Sequence, residues 1–577
     1  MTRTGNFLPT ISRVALAGAL LAAVAPAHAQ TMAYGGLDAD SGEAAGGDGE
    51  SKGDALRGGH HARGAGGGGR LSIQPYIQVS QNLLAELQPG NEVLTYTAVS
   101  AGVDVAMAGR RTEGAVSVRY ERRFVERGNF GDSDTVSGLA RVKHDLIPRT
   151  LTIEAGGLAA RTHVEASGAS SLSALANSDA VSQVWSLYAG PALATHVGRV
   201  AVNGSYLVGY SRMNQPKAIQ IAPGAPRVDL FDHSVAQSAQ VSAGVKPGDL
   251  LPVGLTASGG WAQEDIANLD QRVREYRAGL QATLPVTMDV ALVGDVGWDD
   301  VTVSSRDAVR DGAGNPVLGS DGRYKTDKSQ PRKIAYQTSG ITWDVGVMWR
   351  PSRRTSLSVY VGRRYDSTTY YGSFSYAPNS RSSLGINVYD GISGFGSSLT
   401  NAVHDLPTDF EVSRNPFSGD IGGCAMGASS GGCVNGVLGS VSSSVFRGRG
   451  ITATYGTQVG HLKLGIGAGY SRRKFIGAAG TVLAAANGTV DENYFVDAGV
   501  SGPIDRHSSF TVAVYDSWYR NGRSSLANVN SYGVNAGYSR QITERLQGTA
   551  AVGLEGINRK VAEEVEAEVD GARHRHR

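Results

Sequence analysis

From Leu71 onward the chain alternates apolar with small or polar residues at a period of two, segment after segment. In LKLGIGAGYSRRKF (Leu462 to Phe475), Leu462, Leu464, Ile466, Ala468 and Tyr470 share one face, and Lys463, Gly465, Gly467, Gly469 and Ser471 share the other. The glycines at alternate positions are not a phosphate-cradling loop, which needs an amphipathic helix after it to supply unpaired N–H groups, and none follows. The same alternation places Val200, Val202, Tyr206, Val208 and Tyr210 opposite Asn203, Ser205 and Ser211, and Val290, Leu292, Val296 and Trp298 opposite Asp295 and Asp299. In FTVAVYDSWY, Phe510, Val512, Val514 and Trp518 share a face on which Asp516 also falls. These segments exceed the five or six residues of an ordinary soluble strand, and aromatics recur towards their ends.

The connections alternate too. Tight links such as LIPRT (146–150), HVG (196–198), RPSRR (350–354), QVGH (458–461) and QITER (541–545) take turns with long polar loops such as 213–230, 306–331 and 476–489. Short turns at one end and long loops at the other are the plan of a transmembrane β-barrel. A soluble sandwich or propeller would carry bulky apolar residues where this chain puts Gly, Ser, Thr, Asp and Arg. The expected fold is therefore all-β, a large antiparallel transmembrane β-barrel of about 18–20 strands by the tight-turn count. Bacterial single-chain barrels have even strand numbers, so either one strand hides in 370–447, at SLGINVYDGI (Ser383 to Ile392), or a closing strand is missing from the C-terminus.

The N-terminus adds an address. Arg3 and Arg13 flank a polar start, VALAGALLAAVA (Val14 to Ala25) is apolar but too short to span a bilayer, and AHA (Ala27 to Ala29) has the small-x-small form of a cleavage site. The expected organisation is a signal peptide at 1–29, a Gly-rich disordered lead at 30–70, the barrel at 71–557 and a charged tail at 558–577. Export with membrane-spanning strands implies the outer membrane, with its lipid and the barrel-assembly machinery as partners. The 54 Lys plus Arg against 52 Asp plus Glu leave no basic excess, which excludes a nucleic-acid binder.

Candidate chemistry is sparse. Cys424 and Cys433, nine apart in GGCAMGASSGGCVNG, are expected to form a disulfide, since metal binding would need two further ligands. GASSG (Gly427 to Gly431) matches a nucleophile elbow in letters but lacks the strand and helix that make the elbow work. His60 and His61 have no third ligand nearby. No catalytic residue, metal or cofactor is expected, and the reading is of a non-enzyme. Arginines on the inward face, Arg119, Arg123, Arg277, Arg364 and Arg473, form a basic rim or lumen lining that would favour anions such as acidic polysaccharide. Glu121, Glu275, Asp295 and Asp366 partly neutralise it.

The segments GNEVLTYTAVSAGVDVAMAGRRTEGAVSVRYERRFV (Gly90 to Val125), VSQVWSLYAGPALATHVGRVAVNGSY (Val181 to Tyr206), GDLLPVGLTASGGWAQED (Gly248 to Asp265) and GITWDVGVMWRPSRRTSLSVYVGRRY (Gly340 to Tyr365) resemble a family of sphingomonad-type outer-membrane barrels often labelled as a preprotein translocase subunit. That family is similar to barrels accompanying exopolysaccharide systems. The resemblance implies location and fold and carries over no catalytic motif. Members finish on a strand ending in an aromatic; the tail ending in HRHR departs from this and is not expected to close the barrel. The expected function is a passive outer-membrane pore or an accessory to surface-polysaccharide export. A structural or adhesive surface barrel and an outer-membrane hydrolase are the alternatives. An energised receptor would need a plug domain of on the order of a hundred residues ahead of the first strand, more than the lead supplies.

Overall fold

The computed structural model describes residues 11–15 and, with short interruptions in the loops, residues 70–559. Most of the expected signal peptide, the lead and the tail lie outside the described residues, as does most of GASSG. One sheet holds 23 strands; setting aside the short pieces Ile11–Ala15 and Ser170–Ser171 leaves 21 long strands.

In chain order these are β1 (Arg70–Ala85), β2 (Val93–Ala108), β3 (Thr112–Arg127), β4 (Ser133–Ile147), β5 (Leu151–Val164), β6 (Val181–Val197) and β7 (Val200–Asn214). Then come β8 (His233–Val245), β9 (Gly254–Ile266), β10 (Gln271–Pro285), β11 (Val290–Ser305), β12 (Lys333–Ser352), β13 (Thr355–Arg364), β14 (Ser367–Asn379) and β15 (Ser382–Ser393). The last group is β16 (Val445–Val459), β17 (Leu462–Ile476), β18 (Val490–Pro503), β19 (Ser508–Arg520), β20 (Val529–Gln541) and β21 (Gln547–Arg559). Each long strand pairs antiparallel with its sequence neighbours, the up-and-down order of a barrel. The expected hidden strand is β15. The total of 21 compares with the expected 18–20.

The faces fall as the alternation requires. Ile77, Val296 and Ile341 are 81%, 60% and 77% exposed, whereas Glu121, Asp295 and Asp299 across the wall are nearly fully buried. Exposed rows of Val, Ile and Leu with buried carboxylates invert a soluble protein, and only lipid on the outside makes that arrangement favourable. Aromatics stand outward at both ends of the band, Tyr276, Tyr370 and Trp518 towards the long loops and Trp349, Tyr376 and Tyr538 towards the short turns. Two turns at the short end are made by Gly198 (φ 64°) and Gly460 (φ 61°), where a side chain would be strained.

The seam follows from parity. Strands alternate direction, so β1 and β21, the first and twenty-first, run the same way and cannot form an antiparallel ladder with each other. Instead Ile11–Ala15 lies antiparallel on β21, with Ile11 opposite Asn558 and Ala15 opposite Glu555. Among the described residues β1 has a ladder on its β2 side only.

At the loop side, the 306–332 connection builds small bridges of its own, Ala308 with Thr326 and Leu318 with Tyr324. It meets the 477–489 connection where the Val482 N–H donates to the Asp307 carboxylate at 3.0 Å, and beside it the ammonium of Lys333, the first residue of β12, donates to the Gly480 carbonyl at 2.7 Å. Leu269, Ala308 and Leu483 pack beneath that junction.

An occluded lumen as candidate functional site

The longest connection, between β15 and β16, turns inward. It carries helix α1 (Phe395–His404), a hairpin of Cys424–Met426 and Gly431–Cys433, and a single turn α2 (Asn435–Leu438). Phe395, Leu399 and Val403 recur at four-residue spacing and are fully buried, the stripe that fixes one helical face against a surface. That surface is the inner wall of β5 to β8.

The wall is shaped to receive it. Gly209 lies under Thr400, and the α1 residue Gly396 sits so close to Ser211 and Ser234 that a methyl group there would collide with the Ser234 hydroxyl. The Ser211 hydroxyl donates to the Gly396 carbonyl at 3.2 Å, and the Ser186 hydroxyl lies at hydrogen-bond distance from the Ser211 oxygen, at 3.0 Å. Phe395 meets Phe231 edge to face, with ring centroids 5.0 Å apart. α1 has no capping side chain of its own at Gly394. Glu264 of β9 does this from the wall, accepting the Gly394 N–H at 2.7 Å and the Ser397 N–H at 3.0 Å. A carboxylate there also meets the positive end of the helix dipole.

At the other end of α1, His404 faces Glu154 of β5 at 3.4 Å and Asp405 at 3.4 Å, with the Tyr188 ring edge-on at 5.2 Å. Arg141 holds Glu154 from the far side at 3.1 Å. Burial pulls the His404 pKa down, but the hydrogen bonds and charges of Asp405 and Glu154 outweigh it and raise the ring to about 9. His404 is therefore a cation at neutral pH, pinned to the wall.

Beyond α1 the segment continues down the lumen. The Thr408 hydroxyl reaches Glu113, next to a short turn, at 3.3 Å. The Arg414 guanidinium donates to the hydroxyls of Ser137 at 2.7 Å and Ser117 at 2.8 Å. The chain then returns along the opposite wall, where Arg473 of β17 donates to the Gly436 and Val437 carbonyls at 3.2 and 3.0 Å. Two cavities remain beside α1. One of about 130 Å³ is bordered by Glu154, Gln240, Glu264, Glu275 and His404; the other, of about 230 Å³, is bordered by Arg364, Tyr389, Asn401 and Arg473.

The five arginines expected on the inward face are all there, but they form no continuous stripe. Arg119 and Arg123 share Glu121 at 2.6 and 2.7 Å. Arg364 holds Asp299 at 2.5 Å and also Glu275, and its guanidinium lies over the Tyr365 ring. Arg277 packs its stem at Gly260. Arg473 anchors α2. Of the carboxylates expected to oppose them, Glu121 and Glu275 do so, whereas Asp366 accepts from the Thr338 hydroxyl at 2.9 Å. Cys424 and Cys433 stand opposite one another in the hairpin register.

The residues that hold the plug, Glu154, Glu264, His404 and Arg414, were not singled out from sequence. A signal existed: the helical period of Phe395, Leu399, Val403 and Leu406 interrupts a chain that otherwise alternates by two. Among the described residues no group of His, Cys, Asp and Glu is arranged to hold a metal.

No protein-family model matches the chain, and no curated protein matches it. Solved barrels resemble it in outline. The FrpB iron transporter from Neisseria meningitidis (F5-1 variant) is 11% identical over 85% of this chain and 82% of its own, with a TM-score of 0.36. The closed form of the ferric-catecholate import receptor Fiu from Escherichia coli K12 is 10% identical over 85% and 81%, with a TM-score of 0.40. The alcaligin outer-membrane receptor FauA from Bordetella pertussis is 11% identical over 84% and 75%, with a TM-score of 0.37. Scores this low carry no functional argument.

Proposed function

We propose that this protein is an outer-membrane transport barrel held closed by its own inward-folded loop, with the long loops facing outward and passage requiring the loop to leave the wall. The observation that carries this reading is the seating of α1, with Phe395, Leu399 and Val403 buried against the wall, one end held by hydrogen bonds to Glu264 and the other by the His404–Glu154 ion pair. A passive open pore needs a continuous wet path, and the segment instead runs from the rim at Glu264 to Glu113 near the short turns. The pairing of Arg119, Arg123 and Arg364 with carboxylates removes the free positive lining that an acidic-polysaccharide conduit would use. The hairpin register, with Cys433 disulfide-bonded, supports a Cys424–Cys433 bridge that shortens the loop and limits its excursion.

Planar-bilayer recording of the refolded protein, beside a variant in which residues 395–443 are replaced by a short Gly-Ser linker, tests the reading. Heat-modifiable migration confirms that both barrels have formed. The expected result is a mostly closed parent and a variant with large, stable conductance. Equal, stable conductance in both would overturn it.

A further inference from the structure

The outer wall carries a recess where a barrel would ordinarily be convex. Across β16 to β19, Ala453 and Ala468 form a low floor between the taller side chains of Ile451, Tyr470, Tyr494 and Trp518, leaving a groove of about 500 Å³ on the lipid-facing side. Its walls are almost wholly apolar or aromatic, the lining an acyl chain fits.

The groove's loop-side end is cationic. Arg472 and Arg520 flank Glu492 in register on the neighbouring strands, and Lys474 lies one outward position beyond Arg472. Elsewhere on the outer face Arg122 pairs with Asp134, Arg272 with Asp265, and Arg447 and Arg449 with Asp390, while Arg212, Arg274 and Arg363 stand singly on separate, non-adjacent strands. Arg472, Lys474 and Arg520 have no ion pair among the described residues; Arg520 lies over the Tyr494 ring at 5.4 Å. The one carboxylate among them, Glu492, already accepts the Tyr470 hydroxyl at 2.9 Å. Beside the groove, opposite Val496 in register, Asp516 is engaged by the Asn530 amide at 2.6 Å. Three cations against one carboxylate, at the depth where the aromatic belt marks the headgroup layer, form a site for a phosphate attached to a chain that runs down the alanine floor.

We propose that this groove binds one lipid of the loop-side leaflet, held by its phosphate headgroup at Arg472, Lys474 and Arg520 and by an acyl chain over Ala453 and Ala468. A solvated phosphate alone gains only the headgroup half of the site, and an uncharged lipid only the chain half.

The test is native mass spectrometry of the detergent-purified barrel after exchange into micelles containing bisphosphorylated lipid A, with its dephosphorylated form and phosphatidylcholine as comparisons. The parent is expected to retain one lipid A and to release the other two lipids. Arg472→Gln with Arg520→Gln should weaken retention by roughly thirtyfold, since each cation contributes about tenfold or less near a charged headgroup. Ala453→Leu with Ala468→Leu, which fills the groove and leaves the charges in place, should also abolish retention. Heat-modifiable migration shows whether each variant is a folded barrel; if the alanine pair fails to fold, the arginine pair and the lipid comparison still decide. Equal retention by the folded arginine variant, equal retention of dephosphorylated lipid, or displacement of lipid by millimolar inorganic phosphate would each overturn the proposal.

Discussion

Leu399→Ala is the most direct probe of the plug. Leu399 is fully buried between α1 and the wall, and truncating a leucine at such a site costs about 2–5 kcal/mol when the cavity cannot collapse. The rigid strands below it make collapse hard. That loss falls on the docked state alone, because in an undocked loop the side chain is already in water. At about 1.4 kcal/mol per tenfold, the undocked fraction should rise on the order of thirtyfold to a few thousandfold. The assay is thiol labelling at Val403→Cys, itself fully buried, in parent and Leu399→Ala backgrounds, with an exposed cysteine as the control for reagent access. Where docking is fast relative to labelling, the labelling rate follows the undocked fraction, so the ratio of rates reads the equilibrium shift even if the closed state dominates in both. A ratio near one in folded barrels would refute the idea that α1 docking is an equilibrium separate from barrel folding.

Three further outcomes follow from the same geometry. Glu264→Gln keeps the shape but replaces one of the two oxygens that accept the Gly394 and Ser397 N–H groups by an amide that cannot accept, and should raise Val403→Cys labelling by about twofold to thirtyfold, the equivalent of about 0.5–2 kcal/mol of capping; no change would mean the helix is held by packing alone. His404, flanked by Glu154, Arg141, Asp405 and Tyr188, has its pKa raised to about 9, above the ordinary imidazole value of 6.5. Its contribution to docking is therefore complete below about pH 6.5 and lost as pH rises through 9. Labelling, corrected by the exposed-cysteine control, should accelerate from pH 7 to 10 in the parent and lose that acceleration in His404→Gln; matching pH profiles would count against the latch. Ile466→Lys puts a charge towards lipid on β17 at about 2–4 kcal/mol, while Gly467→Ser faces inward, where its nearest neighbour is the Asp497 carboxylate, a polar group the added hydroxyl can meet. Heat-modifiable folding should fail far more often for the lysine variant, and equal yields would reverse the assignment of faces.

The wall was legible in the sequence because a strand's period of two leaves a mark wherever one side meets lipid and the other does not. Ile466, Val296 and Trp298 face outward as the alternation requires, and Glu121, Asp295 and Asp299 inward. Counting was weaker, because short turns such as Arg364 to Ser367 carry little punctuation: Tyr365 and Asp366 take positive φ there without a glycine. The plug was hidden for a different reason. Its contacts join residues far apart in the chain, such as Glu264 with Gly394 or Arg414 with Ser117, and a polar residue opposite an apolar row looks the same whether it faces water or a helix. The inward arginines were found by facing, yet their ion-pair partners on other strands, Glu275 and Asp299 above all, depend on register that no single segment displays.

The first and last long strands run the same way, so among the described residues the ring is joined there through a shorter stave. Ile11–Ala15 lies on β21 with five residues where every long strand brings ten or more, which makes this the narrowest joint in the wall. The inward segment spans that joint from inside: α1 leans on β5 to β8 while α2 leans on β17 and β18, on the far side of it. The piece that stops the channel is then also a strut between the two flanks of its narrowest joint.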